Sequence, residues 1–198
     1  YMFLGGMPEV LQEYYQNKSV KSVREIQIEI LEAYKRDFSK YNDKQNAIKT
    51  SEVWNSIPYQ LAKEKKKFKY SEISKNSRYS TYEQAIEWLN KAGLIHIVKN
   101  LSIPKLPLSG YSDNSKFKIY LHDTGLLGAL LGLSSSLILK PNELFSEYNE
   151  AFTENFIAQQ LISDGMGQLY YWSSKSDAEI DFIIELNNEI YPVEVKSG

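Results

Sequence analysis

The chain has 198 residues, of which 42% are hydrophobic and 24% charged, and its formal net charge is −2 at pH 7. This composition is typical of a soluble globular protein with one large or two small domains. The absence of cysteine excludes disulfides and thiolate metal sites and fits a cytoplasmic location. The longest apolar stretch, residues 124–133, is about half the ~20 residues that a membrane span requires, so no membrane association is expected.

The charges are distributed unevenly along the chain. Residues 1–50 carry 8 Lys and Arg against 7 Asp and Glu, residues 51–123 carry 12 against 7, and residues 124–198 carry 3 against 11. A basic middle can bind nucleic acid, whereas an acidic end repels phosphate unless cations are bound. A solvated surface with uneven charges is the alternative interpretation.

The first fifty residues predict two helices. Pro8 followed by Glu9 begins a short helix, because both residues suit the first helical turn. Apolar residues then recur at helical spacing and predict a longer amphipathic helix over residues 20–41. We expect this helix to contribute packing and no chemistry.

Residues 51–123 predict the element order of a winged helix. The third predicted helix begins with a capping-box pattern at Ser80 and Glu83, and Gly93 ends it. The three predicted helices, of which the second is a short turn, cover residues 51–63, 70–75 and 80–92. The two predicted strands cover residues 94–98 and 116–121. Helices followed by a hairpin with a long loop are the winged-helix pattern.

A winged helix suggests nucleic-acid binding, with residues 80–92 as the recognition helix and residues 99–118 as the wing. Glu83 and Glu87 on that helix argue against base contact, because acidic side chains rarely face the grooves. Basic residues just before the helix are better candidates for phosphate contact. They are Lys65, Lys66, Lys75 and Arg78. A winged helix that packs against protein is the alternative.

The acidic last third predicts two helices, a strand and a β-hairpin. The first helix is apolar, with Asp123 or Thr124 as its N-cap. The second covers residues 147–162 and places Glu154 beside its apolar stripe. A strand over residues 169–172 follows it.

The predicted hairpin near the C-terminus carries the best clue to chemistry. Residues 179–186 and 189–196 are rich in β-branched and aromatic residues, which favour strands. Asn187 and Asn188 separate them and tolerate the positive φ angles that a two-residue turn requires. The turn therefore fixes the register of the two strands.

This register predicts a cluster of charges on one face of the hairpin. Asp181 lies directly opposite Glu194, and Glu179 lies opposite Lys196. Facing carboxylates repel each other, and a divalent cation would remove the repulsion. A nearby lysine can then hold phosphate or activate water. An ordinary solvent-exposed hairpin is the alternative, because a one-residue change of turn breaks the pairing.

Several segments together resemble the C-terminal portion of prokaryotic AAA-type ATPases whose uncharacterised C-terminal domain is similar to PD-(D/E)XK nucleases. The segments include Gly5-Gly6-Met7-Pro8, Asp123-Thr124-Gly125-Leu126-Leu127, Phe152-Thr153-Glu154-Asn155-Phe156, Glu179-Ile180-Asp181-Phe182 and Val193-Glu194-Val195-Lys196-Ser197-Gly198. The resemblance covers essentially the whole chain.

The resemblance implies an α+β fold in three parts. Residues 1–50 would end the helical lid of the ATPase, residues 51–123 would form the winged helix, and residues 124–198 would form an αβββ nuclease-like core. That fold normally continues with another helix and strand after Glu-x-Lys, so the core is expected to be truncated at its C-terminus. The chain has no G-x-x-x-x-G-K-[ST] loop, so ATP would bind only in the preceding module.

The resemblance also implies roles for individual residues. Asp181 and Glu194 would bind Mg²⁺, Glu154 would complete or orient the metal shell, and Lys196 would position water or stabilise phosphate charge. The implied partners are the N-terminal ATPase module, DNA or RNA, and further copies in a homo-oligomer. The implied function is a metal-dependent phosphodiesterase attached to an ATPase. The alternative is a non-enzymatic regulatory, assembly or targeting module with a degenerate nuclease fold.

Overall fold

The computed structural model describes residues 1–63, 66–134, 143–174 and 178–196 and shows a mixed α+β fold. Six helices lie in these ranges: α1 (Pro8–Asn17), α2 (Val20–Tyr41), α3 (Lys44–Leu61), α4 (Tyr79–Lys91), α5 (Thr124–Leu130) and α6 (Glu143–Ser163). Five strands lie there: β1 (Ile95–Leu101), β2 (Ser112–Leu121), β3 (Tyr170–Ser173), β4 (Glu179–Leu186) and β5 (Glu189–Val193). Within this part of the chain, no helix combines the length and the apolar character that a membrane crossing requires.

The five strands form one mixed sheet in the order β2-β1-β3-β4-β5. β1 pairs with β2 antiparallel and with β3 parallel, while β3, β4 and β5 are antiparallel neighbours. The sheet therefore joins strands from both sides of residue 123, where the sequence predicts a domain boundary. The main core also spans that position, since it contains Trp54, Leu89, Phe152 and Phe182. The boundaries at residues 50 and 123 stay predictions.

Several predicted elements are confirmed. α1 begins at Pro8, and α2 has the predicted bounds. α5 begins at Thr124, where the Asp123 side chain accepts a hydrogen bond of 2.8 Å from Leu126 N. The αβββ order also holds for α6 and the three strands after it.

Three helix starts differ from the prediction. α6 begins at Glu143 rather than at residue 147. α3 begins at Lys44 rather than at residue 51, since Asp43 is the N-cap and its Oδ1 accepts a hydrogen bond from Asn46 N. α4 begins at Tyr79, and its N-cap makes no side-chain hydrogen bond. The predicted capping box is not formed, because Glu83 instead accepts a hydrogen bond of 2.7 Å from the Tyr79 hydroxyl.

The predicted wing is part of the main sheet. β1 and β2 form the expected antiparallel ribbon, with a register shift between Lys99 and Asn100. The other edge of β1 pairs with β3 at Lys99, Asn100 and Leu101. The ribbon therefore shares a sheet with β3, whereas the sequence assigned β3 to a different domain. The winged-helix identity of residues 51–123 stays a prediction.

The start of the chain packs against the start of α5 at a contact that we call the glycine junction, formed by Gly5, Gly6, Asp123 and Gly125. Gly6 N donates a hydrogen bond of 2.6 Å to Asp123 Oδ2. Gly5 has a φ of 72°, a conformation that side chains disfavour. A Cβ on Gly125 would lie 2.5 Å from Leu4 O, so only glycine allows this backbone approach. Two segments that carry the family resemblance thus meet here.

Candidate functional site

The C-terminal hairpin has the predicted turn and register. Asn187 and Asn188 have φ angles of 53° and 60°, as a two-residue hairpin turn requires. The ladder runs from the Leu186–Glu189 pair to the Phe182–Val193 pair, which confirms the register. β5 ends at Val193, so Glu194 and Lys196 lie just beyond the strand.

Beyond the last pair of the ladder, the charged residues of the hairpin form hydrogen bonds and ion pairs that the sequence did not predict. Asp181 Oδ2 accepts a hydrogen bond of 2.8 Å from Val195 N. The predicted approach of Glu179 to Lys196 gives way to two other ion pairs. Lys118 Nζ lies 2.5 Å from Glu179 Oε1, and Lys196 Nζ lies 3.3 Å from Glu194 Oε1. β5 ends at Val193, so Lys196 is not paired with a residue of β4 and does not lie opposite Glu179.

An open pocket of about 310 Å³ lies beside this hairpin, and we call it the carboxylate pocket. It brings together Asp181, Glu194 and Lys196, three residues to which the sequence assigns the chemistry. The full lining is Glu150, Glu179, Asp181, Glu194, Val195 and Lys196. The side chains of Glu194 and Lys196 are 60% and 80% exposed, so both are accessible to a ligand.

Glu154, the fourth predicted site residue, lies behind the pocket. Its side chain is 1% exposed, and both carboxylate oxygens have partners. Lys66 Nζ donates to Oε1 at 2.7 Å, and the Tyr120 hydroxyl donates to Oε2 at 2.6 Å. Burial, reinforced by the Glu154 carboxylate, raises the pKa of Tyr120 well above its usual value, so Tyr120 remains a donor.

The candidate phosphate contacts lie in different environments. Lys66 is 5% exposed and also donates a hydrogen bond of 2.7 Å to Glu150 Oε1. Burial lowers its pKa, but Glu154 and Glu150 more than offset this effect, and the net pKa is raised. Lys75 and Arg78 are exposed just before α4, and Lys65 lies outside the described residues. Phosphate binding by these four residues stays a prediction.

Lys118 is the site residue that sequence reasoning missed. Its side chain is 1% exposed, and its Nζ lies within 4 Å of oxygens of three carboxylates, at 2.5 Å from Glu179, 3.7 Å from Glu154 and 3.8 Å from Asp181. The alternation of Lys116, Lys118 and Tyr120 indicated a polar face on β2. It did not indicate that this face would be covered and become part of the site.

The donor set fits one kind of metal ion better than others. Among the described residues, no group of three or more His, Cys, Asp or Glu side chains converges as a metal cage. Asp181 and Glu194 nevertheless provide two carboxylates at one open pocket. Mg²⁺ commonly binds through one or two carboxylates and keeps several waters, so Asp181 and Glu194 are the two residues here that could hold it. Metal binding by them stays a prediction.

Two proteins of mycobacteria are similar to part of the chain. They are the uncharacterised protein Rv2008c of Mycobacterium tuberculosis and the uncharacterised protein Mb2031c of Mycobacterium bovis. Each is 40% identical over 80 residues, which are 40% of this chain and 17% of the relative. The match thus spans about a sixth of the length of these relatives. No solved structure matches the chain significantly.

Two families match consecutive parts of the chain. Residues 149–198 match DUF4143, a domain of unknown function that commonly accompanies AAA-type ATPase regions. These residues include most of α6 and the whole C-terminal hairpin. Residues 1–137 match DUF8612, a second domain of unknown function. Because this match covers more than half of the sequence, the chain belongs to the DUF8612 family.

Proposed function

We propose that the chain is an accessory region of an AAA-type ATPase and that its carboxylate pocket is a metal-dependent phosphodiesterase site acting on nucleic acid. One observation carries this proposal. Asp181, Glu194 and Lys196 come from separate points of the hairpin and line one open pocket. The association of DUF4143 with AAA-type ATPase regions supports the first half of the proposal.

The proposed arrangement in the whole protein follows the predicted segments. Residues 1–50 end the helical lid of the ATPase, residues 51–123 act as a winged helix, and residues 124–198 act as the nuclease-like part. ATP binds in the ATPase module, which is the main partner of this chain. A homo-oligomer is also part of the proposal.

The residues of the pocket divide the proposed chemistry among them. Asp181 and Glu194 would hold Mg²⁺, which would supply charge stabilisation for the hydrolysis of a phosphodiester. The 2.8 Å hydrogen bond from Val195 N fixes one oxygen of Asp181 and orients the other. Lys196 is exposed and would bind a non-bridging phosphate oxygen. Glu154 orients the site from behind through Lys66 and Lys118, which contact both Glu154 and residues of the pocket.

Four carboxylates line the pocket, and their negative charge repels the phosphates of a nucleic acid. The substrate must therefore also be held by contacts elsewhere on the protein. Lys75 and Arg78 are exposed and provide cationic contacts for the backbone of DNA or RNA. Binding through such contacts weakens as salt rises, by about 0.7–0.9 log units per contact for each tenfold increase in salt. A salt titration of binding by Lys75→Ala and Arg78→Ala proteins therefore tests this part separately.

The proposal is tested by cleavage of DNA and RNA by the full-length protein in Mg²⁺ or Mn²⁺. We expect Lys196→Ala to reduce the rate at least about a hundredfold, as loss of a charge-stabilising group does. Lys91→Ala is the matched control, because Lys91 also lies 3.3 Å from a glutamate and is 78% exposed. Equal rates in the Lys196→Ala and Lys91→Ala proteins would remove Lys196 from the mechanism.

A second candidate function is a non-enzymatic module that regulates or assembles the ATPase. The observation that favours it is the pair of buried lysines, since Lys66 and Lys118 neutralise carboxylates that a nuclease would leave for metal. Under this alternative, the Asp181→Asn protein would have unchanged nucleic-acid chemistry and altered ATP hydrolysis or assembly. Metal-dependent cleavage that Asp181→Asn abolishes would exclude it.

A further inference from the structure

Lys118, on β2, contacts two carboxylates that line the carboxylate pocket, those of Glu179 and Asp181. We propose that Lys118 is a built-in cation that competes with a divalent metal ion for Asp181 and thereby sets the metal affinity of the pocket. This inference rests on the proposed function of the same pocket. Lys118 is a positioning residue in this proposal, because it acts on the metal through Asp181.

Three carboxylates hold the Lys118 ammonium group in place. Nζ lies 2.5 Å from Glu179 Oε1, 3.7 Å from Glu154 Oε2 and 3.8 Å from Asp181 Oδ1. The Tyr171 ring lies beneath Nζ at 5.1 Å from its centroid. A buried ammonium group is stable only beside opposite charge. The position of Lys118 therefore depends on the three carboxylates around it.

Lys118 faces the one Asp181 oxygen that a metal ion would use. Asp181 Oδ2 already accepts a hydrogen bond from Val195 N, whereas Oδ1 lies 3.8 Å from Lys118 Nζ. A cation bound at Oδ1 would lie close to the ammonium group. Two positive charges that lie close together in a partly buried site repel each other strongly. Metal binding consequently requires Lys118 to withdraw toward Glu179 or Glu154.

The balance of charge around the pocket leaves room for one divalent ion. Five carboxylates and three ammonium groups lie in or directly behind the pocket, and together they carry two excess negative charges when all are ionised. The carboxylates are Glu150, Glu154, Glu179, Asp181 and Glu194, and the ammonium groups are Lys66, Lys118 and Lys196. Removing the charge of Lys118 raises the excess to three. The pocket then attracts a cation more strongly.

This reasoning separates the proposal from a purely structural role for Lys118. A structural lysine, once removed, would disorder the pocket and weaken metal binding. A competing lysine, once removed, makes metal binding tighter. The direction of the change therefore decides between the two roles.

The experiment measures Mn²⁺ affinity by calorimetry in the wild-type chain and in Lys118→Met, which keeps the length of the side chain and removes its charge. We expect affinity at least tenfold tighter in Lys118→Met, and we expect Mn²⁺ to raise its melting temperature more than that of wild type. Lys118→Arg retains the charge and should keep the wild-type affinity within about threefold. Unchanged or weaker affinity in Lys118→Met would overturn the proposal.

Lys116→Met is the matched control, because it removes the same charge from the same strand. Lys116 is 47% exposed and pairs with Asp113 at 3.1 Å, outside the pocket. Its replacement should leave Mn²⁺ affinity unchanged within about twofold, as expected for an exposed charge screened by solvent.

A second measurement in wild type covers the case in which Lys118→Met does not fold. The ¹³Cε resonance of Lys118 should shift as Mg²⁺ saturates the chain, while the resonance of Lys116 should not. A Lys118 resonance that does not move at saturation, or at any Mg²⁺ concentration, would overturn the inference.

The outcomes also separate this inference from the proposed function. Metal binding by Lys118→Met alone would support the inference and remove the metal-dependent function from the wild-type chain. Binding by wild type that Lys118→Met does not improve would keep the function and overturn the inference. Failure of both proteins to bind metal would overturn both.

Discussion

Asp123 and Asp181 show how the same side chain serves two different purposes in one molecule. In the glycine junction, Asp123 is 1% exposed, and its two oxygens accept hydrogen bonds from Gly6 N and Leu126 N. In the carboxylate pocket, one oxygen of Asp181 accepts a hydrogen bond from Val195 N, and the other faces Lys118 and the pocket. The donors around a carboxylate thus distinguish a structural aspartate from one available for chemistry.

The two regions also differ in how firmly their partners are held. The donors around Asp123 are backbone N–H groups, which cannot move without moving the chain. The partners around the carboxylate pocket include lysine side chains, which can withdraw and be replaced by another cation. The comparison predicts that changes in the glycine junction affect stability and that changes in the pocket affect binding.

The largest expected effect is in the glycine junction, from Gly125→Ala. The new Cβ would lie 2.5 Å from Leu4 O and 2.7 Å from Gly5 N, both backbone atoms. We expect the free energy of unfolding to fall by about 3 kcal/mol, as in other overpacked sites. Chemical denaturation measures this change. Gly110→Ala is the control, because its Cβ would meet Pro107 Cγ only at 3.9 Å. A loss below about 1 kcal/mol would show that the junction yields easily.

The second prediction compares the two aspartates directly. Asp123→Asn presents an amide N–H₂ to one of two buried N–H donors, so we expect a loss of about 2 kcal/mol in unfolding free energy. Asp181→Asn keeps an acceptor for Val195 N and should cost at most about 1 kcal/mol. Denaturation curves of both proteins test this difference. Losses of equal size would contradict the division into structural and chemical aspartates.

The third prediction concerns how the free energy of unfolding depends on pH through His96. Burial lowers the pKa of His96 to about 4, with His122 as the second cause. The unfolded chain binds more protons between this pKa and the usual value, so stability falls as pH drops below about 6.5. We expect His96 to account for about 1–2 kcal/mol of the loss between pH 7.5 and pH 5.

The measurement is the unfolding free energy of wild type and His96→Gln at these two pH values. The replacement should remove the part of the pH dependence of the unfolding free energy that His96 contributes, because glutamine does not titrate. His122 has a pKa that burial lowers, despite hydrogen bonding to Leu94 and the charge of Asp123, so it contributes in the same direction. A pH dependence identical in both proteins would refute the role of His96.

The smallest expected effect on stability is in the carboxylate pocket. Lys196 is 80% exposed, and its ion pair with Glu194 at 3.3 Å is open to solvent. Such pairs contribute little, so Lys196→Ala should change the unfolding free energy by less than about 0.5 kcal/mol. Thermal and chemical denaturation would detect a larger change. A loss above about 1 kcal/mol would make Lys196 a structural residue and contradict the comparison.

Local signals predicted much of the secondary structure and the hairpin that carries the site. The Asn187-Asn188 turn fixed the register of β4 and β5 because only two-residue turns with positive φ join strands so tightly. Helix starts were also marked by local residues: proline suits the first turn of α1, and aspartate caps the first turn of α5. The predicted start of α3 was wrong, since the N-cap residue Asp43 lies outside the apolar pattern that suggested residue 51.

The long-range parts of the site were not predictable from these signals. Lys118 and Glu179 are far apart in sequence and meet only because β2 and β4 belong to one sheet. The pairing of β1 with β3 depends on that same tertiary arrangement. Lys66 looked like part of a basic surface, yet it is buried against Glu150 and Glu154. Hydrophobic periodicity contains no information about which charged faces will be covered.

The parallel pairing of β1 with β3 has a consequence for folding. Lys99 pairs with Tyr170, so the segment that matches DUF8612 and the segment that matches DUF4143 contribute neighbouring strands to one sheet. The two family matches therefore do not correspond to two separate sheets. Separating the two matched segments would leave β1 and β3 each with an unpaired strand edge. Intact, the chain would unfold in a single cooperative transition.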